Sequence, residues 1–469
     1  MSRFSLSSFL KEDRNLFCGD ESLSSVNFLK LIAQRASTLQ KKHLGEKRVG
    51  LMGGDPVCFL ANFLALLGQD CEAVLLADHL SPDQVGKMKR DFSLDAVIST
   101  FERERDEPAK TTMEPDPELS LSISEEDSRW VVLTSGSGGK PKGVVHHWKN
   151  LEESARGLKA HFHLPRLSSG QTLPLHHVGG LMSFFRPFFE GGHYVLSKNC
   201  DVKTLTDHGA NMVSLVPTQL FRLQQKGLLS LLKPFDLILV GGGTLGLSCH
   251  RECIKARLPI SFSYGLSEMM GAVAVQKPGD TPLSSGRPLP GRKISIDPEG
   301  LIHVGGKGKF LHYREVGAKN PSAPKVSTEG PKGMFATEDL GLWDDRECLQ
   351  VLGRRDDIFQ CGGENVTPHL IERELSALEG VGQALVVPVP DDEYGAVPWA
   401  FIESNSMKST SHYQRELARK LKGLFIPRKI LPLAEGLKRG SIKYRRALVK
   451  EWATQMKLQG KSQGKPQGE

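Results

Sequence analysis

The chain has 469 residues, with 61 Lys plus Arg against 54 Asp plus Glu, a net charge of +7 and a pI near 8.9. Hydrophobic content of 39% and charged content of 25% are ordinary for a soluble globular protein, and this length implies two or three domains rather than one. The modest basic excess reads as solvated surface: no basic run with interleaved aromatics points to nucleic acid, and no stretch reaches the ~18 apolar residues of a membrane span.

Eight cysteines, at positions 18, 58, 71, 200, 249, 253, 348 and 361, form no CxxC pair. That excludes a zinc site of the usual spacing and a disulfide framework, and suits a reducing compartment. Cys249 and Cys253, four apart, read as buried small side chains on one helix face. The opening residues Met1-Ser-Arg-Phe-Ser-Leu6 lack the apolar core of a signal peptide, so a cytoplasmic protein is expected.

In chain order, Arg48–Met52 is a short apolar run suited to a buried parallel strand. Pro56–Gly68 is an apolar helix with Pro at its start and Gly at its end, and Ala73–Leu76 is a second strand. Asp95–Ser99, Trp130–Leu133, Met212–Val216 and Leu237–Val240 continue the alternation. Repeated βα units imply an α/β fold of doubly wound sheets, with ligands at the carboxyl ends of strands. A second unit begins near Gly353. Leu349–Leu352 reads as a strand, and Thr367-Pro368 as N-cap and first residue of a helix whose apolar face is Leu370, Ile371, Leu375 and Leu378, ended by Gly380. Ala384–Val389 follows as a strand. The expected organisation is a large N-terminal domain over 1–352, a small α+β domain over 353–456 and a disordered, Gln-, Gly- and Lys-rich tail over 457–469.

The segment Thr134-Ser-Gly-Ser-Gly-Gly-Lys-Pro-Lys-Gly143 directly follows the Trp130–Leu133 strand. Glycines permit close backbone approach, consecutive N–H groups form an anion nest, and hydroxyls and ammonium groups add donors, so the turn suits a polyphosphate. Pro141 after Lys140 breaks the Walker spacing. Gly241-Gly-Gly-Thr-Leu-Gly246 satisfies GxGxxG, but without a clear acidic partner on the next strand it is weak evidence for a dinucleotide site. Ser263-Tyr-Gly-Leu-Ser-Glu268 places an aromatic, a hydroxyl and a carboxylate close together; phosphate would repel that carboxylate unless Mg²⁺ lay between them. Thr337-Glu-Asp-Leu-Gly341 and Gly353-Arg-Arg-Asp-Asp-Ile358 supply an Asp that can accept from ribose hydroxyls and an Arg that can donate to ribose or phosphate.

In this order and spacing, over residues of about 45 to 453, these segments resemble the acyl-adenylate-forming superfamily of acyl-CoA synthetases, peptide-synthetase adenylation domains and luciferases. The resemblance implies ATP and coenzyme A as co-substrates, with Mg²⁺. Thr134, Ser135, Gly136, Ser137, Gly138 and Lys142 would handle the β- and γ-phosphates. Gly243 and Thr244 would lie against adenine, and Tyr264 would stack on it. Ser267 would contact the α-phosphate, Glu268 would hold Mg²⁺, and Asp339 with Arg354 would bind the ribose. Asp356 matches the hinge between domains. In Gly440-Ser-Ile-Lys-Tyr-Arg-Arg446, Lys443 matches the catalytic lysine. Gly138 stands where the superfamily has Thr, Glu338 where Gly is commoner, and Ser441-Ile442 precede the lysine in place of Ser-Gly.

Leu173-Pro-Leu-His-His-Val-Gly-Gly180 and Ser214-Leu-Val-Pro-Thr-Gln-Leu-Phe-Arg222, with the closing segment 437–452, are most similar to the o-succinylbenzoate–CoA ligase branch of menaquinone and phylloquinone synthesis. Such a substrate has two carboxylates, and the spare one needs a cationic partner if buried. Arg222 is the candidate partner, and His176 a candidate acyl-pocket contact. Alternatives are another aryl- or acyl-CoA ligase, an adenylation domain serving a carrier protein, or an inactive nucleotide-binding protein.

If Lys443 neutralises the attack on ATP, Lys443→Ala cuts pyrophosphate release by on the order of 10²–10³ and leaves thioester formation from supplied acyl-adenylate largely intact. Equal loss of both half-reactions, measured separately, would assign Lys443 to folding or binding instead.

Overall fold

The computed structural model describes residues 2–10, 15–19, 22–100, 121–135, 141–197, 201–243, 245–282, 284–316, 331–404, 406–433 and 446–462. In a first sheet the strands Ala96–Ser99, Arg48–Met52, Glu72–Leu76 and Arg129–Ser135 run parallel, and the antiparallel strands Pro141–His146 and His312–Arg314 extend its edge. A second sheet places Ile260–Leu266, Leu237–Gly241, Met212–Leu215, Ser169–Gly170, Tyr194–Leu196 and Asn15–Gly19 side by side in parallel. This is the doubly wound α/β arrangement the alternating pattern predicts.

Between the sheets lie the helices Ser25–Lys41, Pro56–Gly68, Trp148–Phe162 and Val178–Glu190. Asp55 caps the second of these, accepting from the Cys58 N–H at 2.8 Å, and Pro56 opens it. Its residues Phe59–Leu67 are all buried, which accounts for a helix that is apolar all round. Phe63 meets Trp130 of the first sheet edge-on at 5.6 Å, while Phe184 stacks on Phe17 of the second at 5.6 Å. The core is therefore continuous through the helical layer, each large side chain contributing ~1.5–3 kcal/mol by burial.

After residue 290 the next sheet is antiparallel throughout. Arg292–Ile296, Leu301–Gly306, Met334–Trp343 and Leu349–Arg354 form a four-stranded antiparallel sheet, of which the sequence pattern showed only the last strand. The C-terminal residues surround a core of their own. Val381–Asp391, Gly395–Ser404 and Lys429–Pro432 form its sheet, with helices Pro368–Ser376, Thr410–Leu417 and Arg446–Ser462 packed on it through Ile371, Tyr413 and Val449. The GxGxxG segment has a packing role: a Cβ on Gly246 would lie 2.9 Å from the Ser376 carbonyl oxygen and 3.0 Å from that of Gly382. Gly382 in turn receives the Phe221 ring, 2.4 Å from where its own Cβ would be.

Three local expectations need correction. Thr367 occupies the N-cap position, but its side chain makes no capping hydrogen bond. The helix it opens ends at Ser376, and Gly380, at φ +75°, serves a turn beyond it. The helix Arg446–Ser462 runs into the segment expected to be disordered: Val449 and Ala453 bury one face, and Lys457 Nζ reaches the Pro390 carbonyl at 2.5 Å, so helix growth past 457 costs little. The seven cysteines among the described residues are unpaired by disulfides, Cys249 and Cys253 both buried on the helix Leu247–Lys255. No described helix is long and apolar enough to cross a membrane.

Arg446 and Glu372 form the most buried ion pair of the small unit. Arg446 Nη1 is 2.6 Å and Nη2 3.2 Å from the Glu372 oxygens, and its Nε is 3.0 Å from Asp357. Burial would raise the Glu372 carboxyl, but Arg446, His369 and the Val386 amide outweigh it and hold it at about 2. A carboxyl depressed in the folded state stabilises above its unfolded value near 4.5 and loses that contribution as pH falls towards 2. Glu372→Ala is expected to destabilise the fold by about 3–5 kcal/mol at neutral pH in urea unfolding, with the difference from wild type shrinking below pH ~4.5. A pH-independent difference would contradict the ion-pair account.

Candidate functional site

The hairpin formed by Arg129–Ser135 and Pro141–His146 pairs Thr134 with Lys142 and Ser135 with Pro141, so the glycine-rich turn sits at its tip. Gly136, Ser137, Gly138, Thr244 and Lys443 lie outside the described residues. Alternation along the second strand puts Lys142, Val144 and His146 on one face. At one end of that face Lys142 Nζ lies 3.3 Å from Glu268 Oε1 and 4.0 Å from the centre of the Tyr313 ring. The Tyr313 hydroxyl donates to the same oxygen at 2.8 Å. Tyr313 was not singled out from sequence; it enters because His312–Arg314 pairs with Pro141–His146, Tyr313 opposite Val144. Burial, then the Glu268 charge, pushes the Tyr313 phenol up, so it stays a donor at neutral pH. Behind Tyr313, Arg314 donates to Glu72 at 2.7 Å and fixes this edge strand to the sheet.

At the other end His146 is fully buried and stacks on Trp130 with ring centres 5.1 Å apart. Its Nε2 is 2.8 Å from the Ser267 carbonyl oxygen, and burial lowers its pKa to about 3. Ser267 and Glu268 form a short turn after the strand Ile260–Leu266, which ends at Met270 in the left-handed region, φ +52°.

On the same strand Tyr264 donates to Asp339 Oδ2 at 2.7 Å. Asp339 faces Arg354 directly across the antiparallel pair Met334–Trp343 and Leu349–Arg354, with Arg354 Nη1 3.8 Å from Oδ1. Burial raises the Asp339 carboxyl, opposed by the Tyr264 hydrogen bond and Arg354; burial likewise raises the Tyr264 phenol. Arg354 also grips Asp356 through Nε at 2.8 Å and Nη2 at 3.0 Å. Burial would raise Asp356 as well, but Arg354 holds its carboxyl below the usual range. Tyr264, Glu268, Asp339, Arg354 and Asp356 are thus joined by contacts or by one strand–turn segment. Gly243, exposed after the strand Leu237–Gly241, lies beside Pro217 rather than in that cluster.

The two substrate candidates fare differently. His176 is buried beside His177, at 4.3 Å, and His79, at 6.4 Å; burial lowers its pKa to about 4, leaving it neutral at pH 7. Arg222 is exposed, because the helix Pro217–Gln225 turns Leu220 and Phe221 inward. The buried cation near this region is Arg186 of the helix Val178–Glu190, 4% exposed. Its Nη1 donates to Ser214 Oγ at 3.1 Å, its Nε has no partner, and no carboxylate among the described residues pairs with it. Burial lowers its pKa to about 10, which leaves it cationic at neutral pH. An arginine inside an otherwise apolar helix, Ser183-Phe-Phe-Arg-Pro-Phe188, was the sequence signal for it.

The AMP-binding enzyme family matches residues 10–313. The chain is 33% identical over 310 residues to the 2-succinylbenzoate–CoA ligase of Bacillus licheniformis, covering 61% of this chain and 62% of that one. It is 30% identical over 420 residues to the 2-succinylbenzoate–CoA ligase of Bacillus velezensis, covering 81% and 82%. Its fold superposes on o-succinylbenzoate CoA synthetase from Bacillus subtilis, solved with the acyl-adenylate intermediate, with a TM-score of 0.81 at 23% identity over 96% of this chain and 99% of that one.

Tyr313→Phe keeps the ring under Lys142 and removes the charge-assisted bond to Glu268. Calorimetric affinity for Mg·ATP is expected to fall about ten-fold, and Tyr313→Leu, which also removes the ring, is expected to weaken it further. Unchanged affinity in both would take Tyr313 out of the nucleotide site.

Proposed function

Because the chain belongs to the AMP-binding enzyme family, we propose that it is an AMP-forming acid–coenzyme A ligase whose acid is 2-succinylbenzoate. One juxtaposition carries the proposal. The segment 264–268 joins a ribose-type cluster, Tyr264–Asp339–Arg354, to a phosphate-and-cation cluster, Glu268–Lys142–Tyr313, at the tip of a glycine-rich hairpin.

Within this proposal Thr134, Ser135 and Lys142 flank the turn that takes the β- and γ-phosphates, and Gly243 borders the adenine. Asp339 accepts from a ribose hydroxyl through Oδ1, its other oxygen being held by Tyr264. Tyr264, 7% exposed, offers adenine only a limited part of its ring. Ser267 faces the α-phosphate. Glu268 is the residue that would hold Mg²⁺: no cluster of three metal-type ligands exists among the described residues, and one carboxylate completed by phosphate oxygens and water is a coordination Mg²⁺ accepts. When bound, Mg²⁺ supplies charge neutralisation for the polyphosphate.

An oxygen of the substrate carboxylate attacks the α-phosphorus, the bond to pyrophosphate breaks, and a mixed anhydride forms. Anion meets anion in this step, so lysine charge and fixed geometry provide the catalysis. Lys443, in sequence between the strand Lys429–Pro432 and the helix Arg446–Ser462, supplies that lysine charge. The coenzyme A thiol then loses its proton and attacks the acyl carbon, and AMP leaves with the anhydride oxygen. Asp356, in the turn Arg355–Asp357 between large and small units, is the pivot that exchanges the two arrangements.

Arg186 takes the place first given to Arg222. A buried guanidinium without a carboxylate is costly, and the ring carboxylate of 2-succinylbenzoate is the anion that relieves it. His176 borders the acyl chain as a neutral imidazole.

The test is pyrophosphate release with 2-succinylbenzoate, with 3-benzoylpropionate, which lacks the ring carboxylate, and with other aryl acids. Wild type is expected to prefer 2-succinylbenzoate, with release of AMP and thioester on adding coenzyme A. Arg186→Gln is expected to raise KM for 2-succinylbenzoate about ten- to hundred-fold and to leave 3-benzoylpropionate nearly unchanged. Equal effects on both acids would remove Arg186 from the pocket, and no turnover of 2-succinylbenzoate would remove the substrate assignment.

A further inference from the structure

Three groups already described share a rear support. Asn150 of the helix Trp148–Phe162, 2% exposed, places its Nδ2 2.9 Å from His146 Nδ1 and 3.1 Å from the Lys309 carbonyl oxygen. Both contacts require a donor from Asn150, since a carbonyl can only accept. His146 Nδ1 is therefore the acceptor, which leaves its proton on Nε2, aimed at the Ser267 carbonyl at 2.8 Å. The residue after Lys309 closes the other half of the clamp: Phe310 N–H donates to the Glu268 carbonyl at 2.8 Å. From the same helix, Ser154 Oγ donates to the Met270 carbonyl at 2.8 Å, and Glu153 accepts from the Gly308 N–H at 2.8 Å.

We infer that His146 and Asn150 are positioning residues for the nucleotide site: they hold the Ser267–Glu268 peptide from behind in one imidazole tautomer, so that the Glu268 carboxylate faces Lys142 and the metal-bound phosphates. The inference rests on the proposed use of Glu268. It follows from an arrangement in which both carbonyls of the Ser267–Glu268 turn are hydrogen-bonded to backbone or buried side-chain donors, while the Glu268 carboxylate has its own partners, Lys142 and Tyr313. One face of the strand Pro141–His146 serves the turn at both ends, Lys142 meeting the Glu268 carboxylate and His146 the Ser267 carbonyl. Neither His146 nor Asn150 touches the Glu268 carboxylate, so their effect passes through the backbone. Outer partners of this kind change metal affinity or activity by about 10–100-fold.

The experiment compares His146→Phe, which keeps an aromatic ring on Trp130 but loses the donor, with His146→Gln, whose amide can restore it, and with Asn150→Leu, which frees the tautomer. Calorimetric titration of ATP with and without Mg²⁺ is the primary readout and needs no turnover. His146→Phe is expected to lose about ten-fold or more of the Mg²⁺-dependent part of ATP affinity, while Mg²⁺-free binding stays within two- to three-fold. His146→Gln recovers most of the loss, and Asn150→Leu shows a smaller change of the same pattern. In the adenylation assay, half-saturating Mg²⁺ rises with KM for the acid unchanged. Equal losses with and without Mg²⁺, or failure of His146→Gln to differ from His146→Phe, would overturn the inference. So would a lowered melting temperature with unaltered Mg²⁺-dependent affinity. If His146→Phe does not fold, Asn150→Leu decides by the same ratio. An inactive wild type that binds Mg·ATP would sink the proposed reaction and leave this inference standing or falling on the binding data.

Discussion

In the proposed reading Glu268 stands where a polyphosphate approaches and would be repelled by it, and the contacts around Glu268 make that placement tolerable. Lys142 lies 3.3 Å from the Glu268 carboxylate, and Tyr313 donates to it while passing its ring under the ammonium. These contacts are partly buried, where charge–charge and charge–dipole interactions exceed their strength in water. The carboxylate is thereby held in one orientation by two partners, which suits the proposed action through a divalent cation.

The ribose side repeats the device with different elements. Asp339 is buried, and its raised carboxyl is steadied by the Tyr264 phenol and by Arg354 across the strand pair. Arg354 divides itself between Asp339 and Asp356, so a proposed nucleotide contact and the turn Arg355–Asp357 share one guanidinium. Next along, Asp357 pairs with Arg446, which anchors the helix Arg446–Ser462 to Glu372. A contiguous run of charged contacts thus leads from the ribose cluster to the start of that helix, three residues after Lys443. Ion pairs of this sort reorganise between discrete arrangements more readily than packed apolar cores do, which suits a region proposed to rotate.

The proposed acyl side follows the opposite rule. Arg186 is buried on a helix whose neighbouring Phe184, Phe185 and Phe188 are also buried, and it makes a side-chain hydrogen bond to Ser214. A cation left so poorly satisfied inside a core is costly, which supports the proposed contact with the ring carboxylate of the substrate.

The sequence by itself determined the parallel strands at 48–52, 73–76, 95–99, 130–133, 212–216 and 237–240, the Pro56–Gly68 helix and the chemistry-bearing segments 134–143, 263–268, 337–341 and 353–358, because period, capping and turn chemistry act over a few residues. It also supplied the resemblance to an acyl-adenylate-forming enzyme. Long-range pairing was decided only in three dimensions. Tyr313 reaches Glu268 because its strand adds to the edge of the hairpin, and Asp339 meets Arg354 through cross-strand register. Arg222 turns outward because Leu220 and Phe221 fill the inward face, leaving Arg186 as the buried cation. The rear clamp, backed by Asn150, joins His146 to Ser267, 121 positions away. Such contacts leave no local period or spacing to read: burial and register select them, and both are properties of the assembled sheets rather than of any single segment.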